Sequence, residues 1–113
     1  MAKGRSIQVY RSKGVLLTVD RGKLVRAVHC STGRPGFTTP AGRYAIYLRE
    51  NRHWSIQYDV WMPYAQFFNG GYALHESNDV PAEPASHGCV RMPVPDALFV
   101  WNFASIGTPV TVY

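Results

Sequence analysis

One short run of this sequence gathers a nucleophile, an imidazole, a glycine and a guanidinium: Ser86-His87-Gly88-Cys89-Val90-Arg91-Met92. A cysteine attacks only as its thiolate, which calls for nearby positive charge, a general base or backbone N–H groups. The run offers candidates for all three. Gly88 permits a tight turn, so amides near Gly88 and Cys89 can converge on one point and stabilise an oxyanion. A helical turn directly after Cys89 would lower its pKa through exposed N–H groups. Arg91 is the only Lys or Arg after Arg52 and is suited to grip a substrate carboxylate through two hydrogen bonds. A plainer reading makes Cys89 a buried apolar thiol. The flanking His87, Gly88 and Arg91 speak against it, because an inert core position has no use for them.

A histidine is the candidate base, set against the plainer reading in which a lone His at a strand end is structural. His75 closes the apolar stretch Tyr72-Ala73-Leu74-His75, where a strand hands over to a loop. The chain from there to His87 is long enough to fold back on Cys89. His87 is the rival base, though its ring must compete with the turn for direction. His29 and His53 lie in strand or charged-loop contexts and are unremarkable. Zinc is the sharpest competing use of these residues, with His75, His87, Cys89 and either His29 or Cys30 as four ligands. His-x-Cys is an uncommon ligand spacing, no Cys-x-x-Cys exists, and Arg91 would sit beside the cation. These points weigh against a zinc site.

The elements that must position these residues are mostly β. Residues 6–10 and 14–20 alternate, with Ile7/Val9 and Val15/Leu17/Val19 as the apolar sets, separated by a turn at 11–14. A second turn at 20–23, with Gly22 able to take φ > 0, leads to a strand over 24–31. Residues 32–42 hold three Gly and two Pro and read as a loop. Strands are predicted over 43–48 (Tyr44, Ile46 and Leu48 on one face) and 55–60 (Ile56, Tyr58 and Val60). Residues 61–71 read as aromatic and irregular, 72–75 as a short strand, and 76–86 as a polar loop. Pro95 and Asp96 suit the first turn of a helix. Leu98, Trp101 and Phe103 or Ala104 form its apolar side, and it stops near 105–107. Residues 108–113 make the last strand.

With 113 residues, 46 % hydrophobic and 17 % charged, the chain reads as one domain able to build a real core. No apolar run approaches the roughly 20 residues that span a bilayer. Eleven of the twelve Lys and Arg fall before residue 57, against Asp20 and Glu50 alone. A basic half suits any polyanion. Its residues are spread through alternating strands without an aromatic platform, so no nucleic-acid partner is expected. Cys30 and Cys89 are too few for a disulfide framework, and one bridge between them is open. Residues 1–5 have no apolar signal-peptide core, which leaves either an export segment outside this sequence or cytoplasmic retention.

At this point the residues resemble a known family. Ser86-His87-Gly88-Cys89-Val90-Arg91 resembles the active-site signature of the YkuD-type L,D-transpeptidases, bacterial cell-wall enzymes. Ser31-Thr32-Gly33, Thr39-Pro40-Ala41-Gly42-Arg43-Tyr44, Trp61-Met62-Pro63-Tyr64, Gly71-Tyr72-Ala73-Leu74-His75 and Gly107-Thr108-Pro109-Val110 follow in the family's order. The resemblance implies a YkuD-like β-sandwich or open barrel with one short helix after the cysteine, and a single catalytic domain over 1–113. It implies attack by Cys89 on a peptidoglycan stem tetrapeptide, between the third residue, a diamino acid, and the terminal D-alanine. The acyl group then passes to the amine of another stem, as a 3→3 cross-link, or to water. His75 would be the general base, oriented by the backbone carbonyl of Glu76. The amides of His87, Gly88 and Cys89 would form the oxyanion hole. Arg91 and Ser86 would bind or order the substrate, and Tyr64, Gly71 and Tyr72 would line the cleft beside Glu76. Carbapenems acylate such cysteines, and the resemblance implies no metal or organic cofactor.

This sequence departs from the family in two places. Glu76 stands where a small residue usually follows the first His, and its carboxylate either raises the pKa of His75 or points to solvent. The loop from His75 to Ser86 is also short. Two other readings stand beside transpeptidation: an L,D-carboxypeptidase using the same site, and a non-catalytic wall-binding module. The resemblance places the protein in the cell envelope, as a monomer, with peptidoglycan stems as partners and anionic wall polymers as a match for the basic half.

Overall fold

A computed structural model describes residues 4–55, 60–86 and 88–113. Strands β1 (Arg5–Tyr10), β2 (Val15–Asp20), β3 (Lys23–His29), β4 (Gly42–Ala45) and β9 (Pro109–Val112) form a five-stranded sheet in the order β3-β2-β1-β9-β4. Strands β5 (Leu48–Ser55), β6 (Val60–Asn69), β7 (Tyr72–Glu76) and β8 (Val90–Met92) form a second sheet in that order. One helix, α1 (Val94–Phe103), follows β8. The architecture is the mostly-β, two-sheet one expected, with its short helix after Cys89.

The core lies between the sheets. Ile7, Val9, Leu16, Val28, Val110 and Val112 from the first sheet meet Phe68, Leu74, Val90 and Met92 from the second and Ala97, Val100 and Phe103 from the helix. Each fully buried aliphatic side chain contributes about 1.5–3 kcal/mol relative to exposure. The ends of the chain are joined here, because β1 pairs parallel to β9 with Ile7 beside Val110 and Val9 beside Val112.

Four details differ from the sequence expectation. In β2 the buried residues are Leu16 and Thr18, not Val15, Leu17 and Val19. Antiparallel register sets Leu16 opposite Val9 and Thr18 opposite Ile7, and the Thr18 hydroxyl donates to the Arg26 carbonyl at 3.1 Å. That bond lets a polar residue hold a core position. The predicted strand over 43–48 is divided: β4 ends at Ala45, Ile46 is buried, and Leu48, 40 % exposed, opens β5 in the other sheet. The Ile56 and Tyr58 of the next predicted strand lie outside the described residues.

The aromatic stretch over 61–71 is largely strand. Tyr64 takes a left-handed φ of 54°, which breaks the alternation. Met62, Ala65 and Phe67 thereby share one face while Tyr64 and Phe68 pack on the main core. Finally, α1 buries Ala97, Val100 and Phe103, while Leu98 is exposed. Val-Pro-Asp-Ala-Leu-Phe-Val-Trp-Asn-Phe is apolar nearly all round, so periodicity cannot choose its buried side.

Three arginines of the basic half fix the helix. Arg26 pairs with Asp96 at 2.8 Å and lies over Phe99. Arg5 donates to the Phe103 carbonyl at 2.9 Å and lies over that ring. Arg49 donates to the Trp101 carbonyl, with its guanidinium 3.9 Å from the centre of the indole. The carbonyls lie near the C-terminal end of the helix, where cations complement the dipole.

Candidate active site

Strand β7 pairs parallel to β8, Leu74 beside Val90 and His75 beside Arg91. A parallel pair cannot close with a hairpin and needs a crossover of a dozen or so residues. Here the crossover runs over residues 77–89 and returns carrying Ser86, Gly88 and Cys89. Side chains alternate across the pair. Leu74, Val90 and Met92 enter the core, while His75, Cys89 and Arg91 line a cleft of about 470 Å³ on the other face. Trp61, Met62 and Pro63 of β6 and Glu76 to Asp79 supply its other walls. The eleven residues between His75 and His87 thus fold back as required. His87 itself lies outside the described residues.

His75 is buried, and its Nδ1 lies 2.7 Å from the Glu76 carbonyl oxygen. Only Nδ1 can donate in that contact, so the neutral ring keeps its lone pair on Nε2. Burial pushes the imidazole down to about 4, with Arg91 adding to the shift and the Glu76 contact opposing it. The carbonyl of Glu76, not its carboxylate, is what acts on His75, and the pKa moves down rather than up.

Burial raises the Cys89 thiol above its ordinary value, opposed by the Ala73 backbone and by Arg91. Its Sγ lies 3.7 Å from the Gly71 carbonyl. Burial thus disfavours the charged form of both groups, which suits base-assisted attack better than a preformed ion pair.

The turn around Cys89 is tied on three sides. The Gly88 N–H donates to Ser86 Oγ at 3.1 Å, and Ser86 Oγ donates to the Cys89 carbonyl. Thr39 Oγ1 donates to the Gly88 carbonyl at 2.6 Å and accepts the Gly33 N–H at 2.9 Å. Gly88 has φ 125°, and a Cβ there would lie 2.2 Å from the Tyr72 ring. The position tolerates glycine alone for both reasons.

These contacts correct several sequence expectations. The Gly88 amide is directed at Ser86 and not into the cleft as an oxyanion donor. Ser86 lines the cleft, and its hydroxyl holds the turn: its one proton goes to the Cys89 carbonyl, which leaves it only acceptor capacity towards a substrate. Tyr64 does not line the cleft, because its backbone turns it onto the core and Trp101, ring centres 5.7 Å apart. Tyr72 supports the Gly88 turn from the core side. Gly71 reaches the site only through its carbonyl.

Arg91 lines the cleft, its Nη1 3.3 Å from the Asp79 carbonyl and 3.5 Å from the Asp79 carboxylate. The crossover is anchored further by His29 Nε2, 2.9 Å from the Val80 carbonyl, and by Ser31 Oγ, which donates to the Glu83 carbonyl at 2.8 Å. Cys30 is buried, unbridged and pushed up to about 12 by burial alone, which makes it an inert core thiol. Among the described residues no three His, Cys, Asp or Glu side chains gather as a metal site, and no helix is long and apolar enough to cross a membrane.

Sequence reasoning passed over Trp61, Met62, Asp79 and Thr39. Trp61-Met62-Pro63 was visible as a motif, but only the left-handed Tyr64 decides which of its residues face the cleft.

A thiol in the turn just before one strand and an imidazole on the parallel neighbour, at one face of a two-sheet β fold, define a cysteine-centred class of site. The YkuD family model, described as the L,D-transpeptidase catalytic domain, matches residues 4–112, and the chain belongs to that family. An L,D-transpeptidase from Stackebrandtia nassauensis superimposes with a TM-score of 0.92 at 34 % identity, over 100 % of this chain and 57 % of that one. One from Xylanimonas cellulosilytica DSM 15894 gives 0.91 at 32 %, over 100 % and 62 %. L,D-transpeptidase 3 from Mycobacterium tuberculosis, in complex with a faropenem-derived adduct, shares the fold with a TM-score of 0.84 at 21 %, over 96 % and 60 %. The chain thus spans roughly three fifths of each of these proteins' length. No curated protein matches it.

Proposed function

We propose that this domain is a cysteine acyltransferase of peptidoglycan, an L,D-transpeptidase. The observation that carries the reading is the placement of Cys89 and His75 on one cleft wall, with His75 oriented by Glu76 so that Nε2 is the basic nitrogen. Nε2 takes the Sγ proton as Sγ attacks the carbonyl that precedes the terminal D-alanine of a stem tetrapeptide. The Cys89 amide receives the developing oxyanion. The tetrahedral intermediate expels D-alanine, its nitrogen taking the proton from His75, and leaves a thioester. The side-chain amine of a second stem attacks the thioester, passes a proton to His75 and releases the 3→3 cross-linked dimer and the thiol. Arg91, the cation of the cleft, holds a substrate carboxylate. This work belongs in the cell envelope, and the basic half suits its anionic polymers. The faropenem-derived adduct of the M. tuberculosis protein supports the choice of a β-lactam as probe.

Intact-protein mass spectrometry after incubation with a carbapenem tests the reading. One adduct is expected in wild type and in Cys30→Ala, and none in Cys89→Ala. No adduct on folded wild-type protein would overturn it. With a tetrapeptide substrate, capture of the acyl group by an added stem amine is the transferase outcome. Release of D-alanine to water alone would make the domain a carboxypeptidase.

A further inference from the structure

The turn carrying Cys89 is held by a hydroxyl that comes from far away in the chain. Thr39 lies in the loop before β4, is wholly buried, and donates to the Gly88 carbonyl at 2.6 Å. The same oxygen accepts the Gly33 N–H at 2.9 Å. Gly33 cannot be replaced there, because a Cβ would sit 1.9 Å from the Phe37 carbonyl oxygen and 2.7 Å from the Thr39 nitrogen. The loop is thus closed tightly enough to place one hydroxyl against one carbonyl.

That carbonyl belongs to the peptide unit shared by Gly88 and Cys89. The described chain has no cis peptide bonds, and in a planar trans unit C=O and N–H point in opposite directions. Fixing the Gly88 oxygen on Thr39 therefore fixes the aim of the Cys89 N–H, away from the buried loop. Ser86 fixes the units on either side, through the Gly88 N–H and the Cys89 carbonyl. Three successive peptide planes are clamped, and the middle one depends on Thr39. Without this hydroxyl, Gly88 at φ 125° has freedom that no side chain of its own restrains.

We infer that Thr39 is a positioning residue for the acyl transfer: its hydroxyl, acting through the Gly88 carbonyl, aims the Cys89 N–H at the oxyanion. The inference rests on the function proposed above, in which that amide is an oxyanion donor. A positioning role of this kind affects only reactions that build an oxyanion. Attack of the Cys89 thiol on a carbapenem carbonyl builds one, whereas its alkylation by iodoacetamide is a displacement at an sp³ carbon and does not.

The test measures both rates at Cys89 in wild type, Thr39→Val and Thr39→Ser. Losing one oxyanion donor costs about 10²–10³-fold in rate, and a misaimed donor should cost a large part of that. Thr39→Val is expected to slow carbapenem acylation by at least about tenfold, leaving iodoacetamide alkylation within about twofold, and Thr39→Ser to restore acylation. If acylation and alkylation fall together, or neither changes, the positioning role is wrong. Should Thr39→Val not fold, Thr39→Ala takes its place, since the space it leaves lets water satisfy the Gly33 N–H. The same pair of rates then decides. Wild-type protein that forms no carbapenem adduct would instead overturn the function itself, so the two failures are distinguishable.

Discussion

His75 Nδ1 and the Glu76 carbonyl oxygen are 2.7 Å apart, neighbours in sequence at the end of β7. The contact is local, yet it decides the tautomer of a ring that completes its site with a residue from another strand. It also accounts for the carboxylate of Glu76 having no hold on the imidazole. Glu76 also walls the cleft, but it acts on the ring through its backbone, so the identity of its side chain matters little to the tautomer.

The stability of the domain is expected to fall as pH drops from about 6.5 towards the His75 value of about 4. In that window the unfolded chain binds a proton at His75 and the folded chain does not, so acid favours unfolding. The full effect of this one group, reached below its folded value, is on the order of 3 kcal/mol. Urea midpoints measured between pH 4 and pH 7 should decline towards acid in wild type and decline less in His75→Gln. Equal slopes would mean that the ring is solvated and titrates normally.

Thiol counting separates the two cysteines. Cys30 is buried in the core and pushed up to about 12, whereas Cys89 lines the cleft. In native protein at pH 8, an excess of iodoacetamide should label one site, absent in Cys89→Ala. The second should label only in denaturant, at the global unfolding rate. Rapid native labelling of Cys30 would contradict its place in the core.

Much of this was legible in the sequence. The strand-loop-strand order and the helix near Pro95 follow from alternation and turn residues, and a cluster of chemically matched side chains marks Cys89, with His75 and His87 as rival bases between which the family resemblance chooses His75. What could not be read depends on contacts between distant segments. The buried phase of β2 is chosen by its register against β1, and an alternating strand fits either phase until its partner is known. The resemblance puts Tyr64 in the cleft, and the left-handed backbone that turns it onto the core has no signature in an aromatic residue. The engagement of Ser86 and Gly88 was hidden for a related reason, since a hydroxyl beside a nucleophile looks the same whether it faces a substrate or its own backbone. Thr39 is 49 residues from the carbonyl it holds, and nothing in either segment announces the other.

The basic first half divides into two sets with different expected behaviour. Arg5, Arg26 and Arg49 hold the helix through its carbonyls, Asp96 and its aromatic faces, and Arg11 joins the Tyr113 and Thr39 carbonyls. Lys13, Lys23 and Arg43 are exposed. Reversing the exposed three to Glu should leave the melting temperature within a few degrees and, if the basic half meets an anionic wall polymer, reduce retention on wall material at low salt. Screening above about 0.15 M salt should abolish the difference. Arg49→Leu should instead cost about 1–2 kcal/mol of stability through the lost cation–π and carbonyl contacts, with little change in retention. Undiminished retention of the triple variant would remove the polymer from the list of partners. A destabilised triple variant with Arg49→Leu unchanged would mean that the division into structural and solvated arginines is drawn in the wrong place.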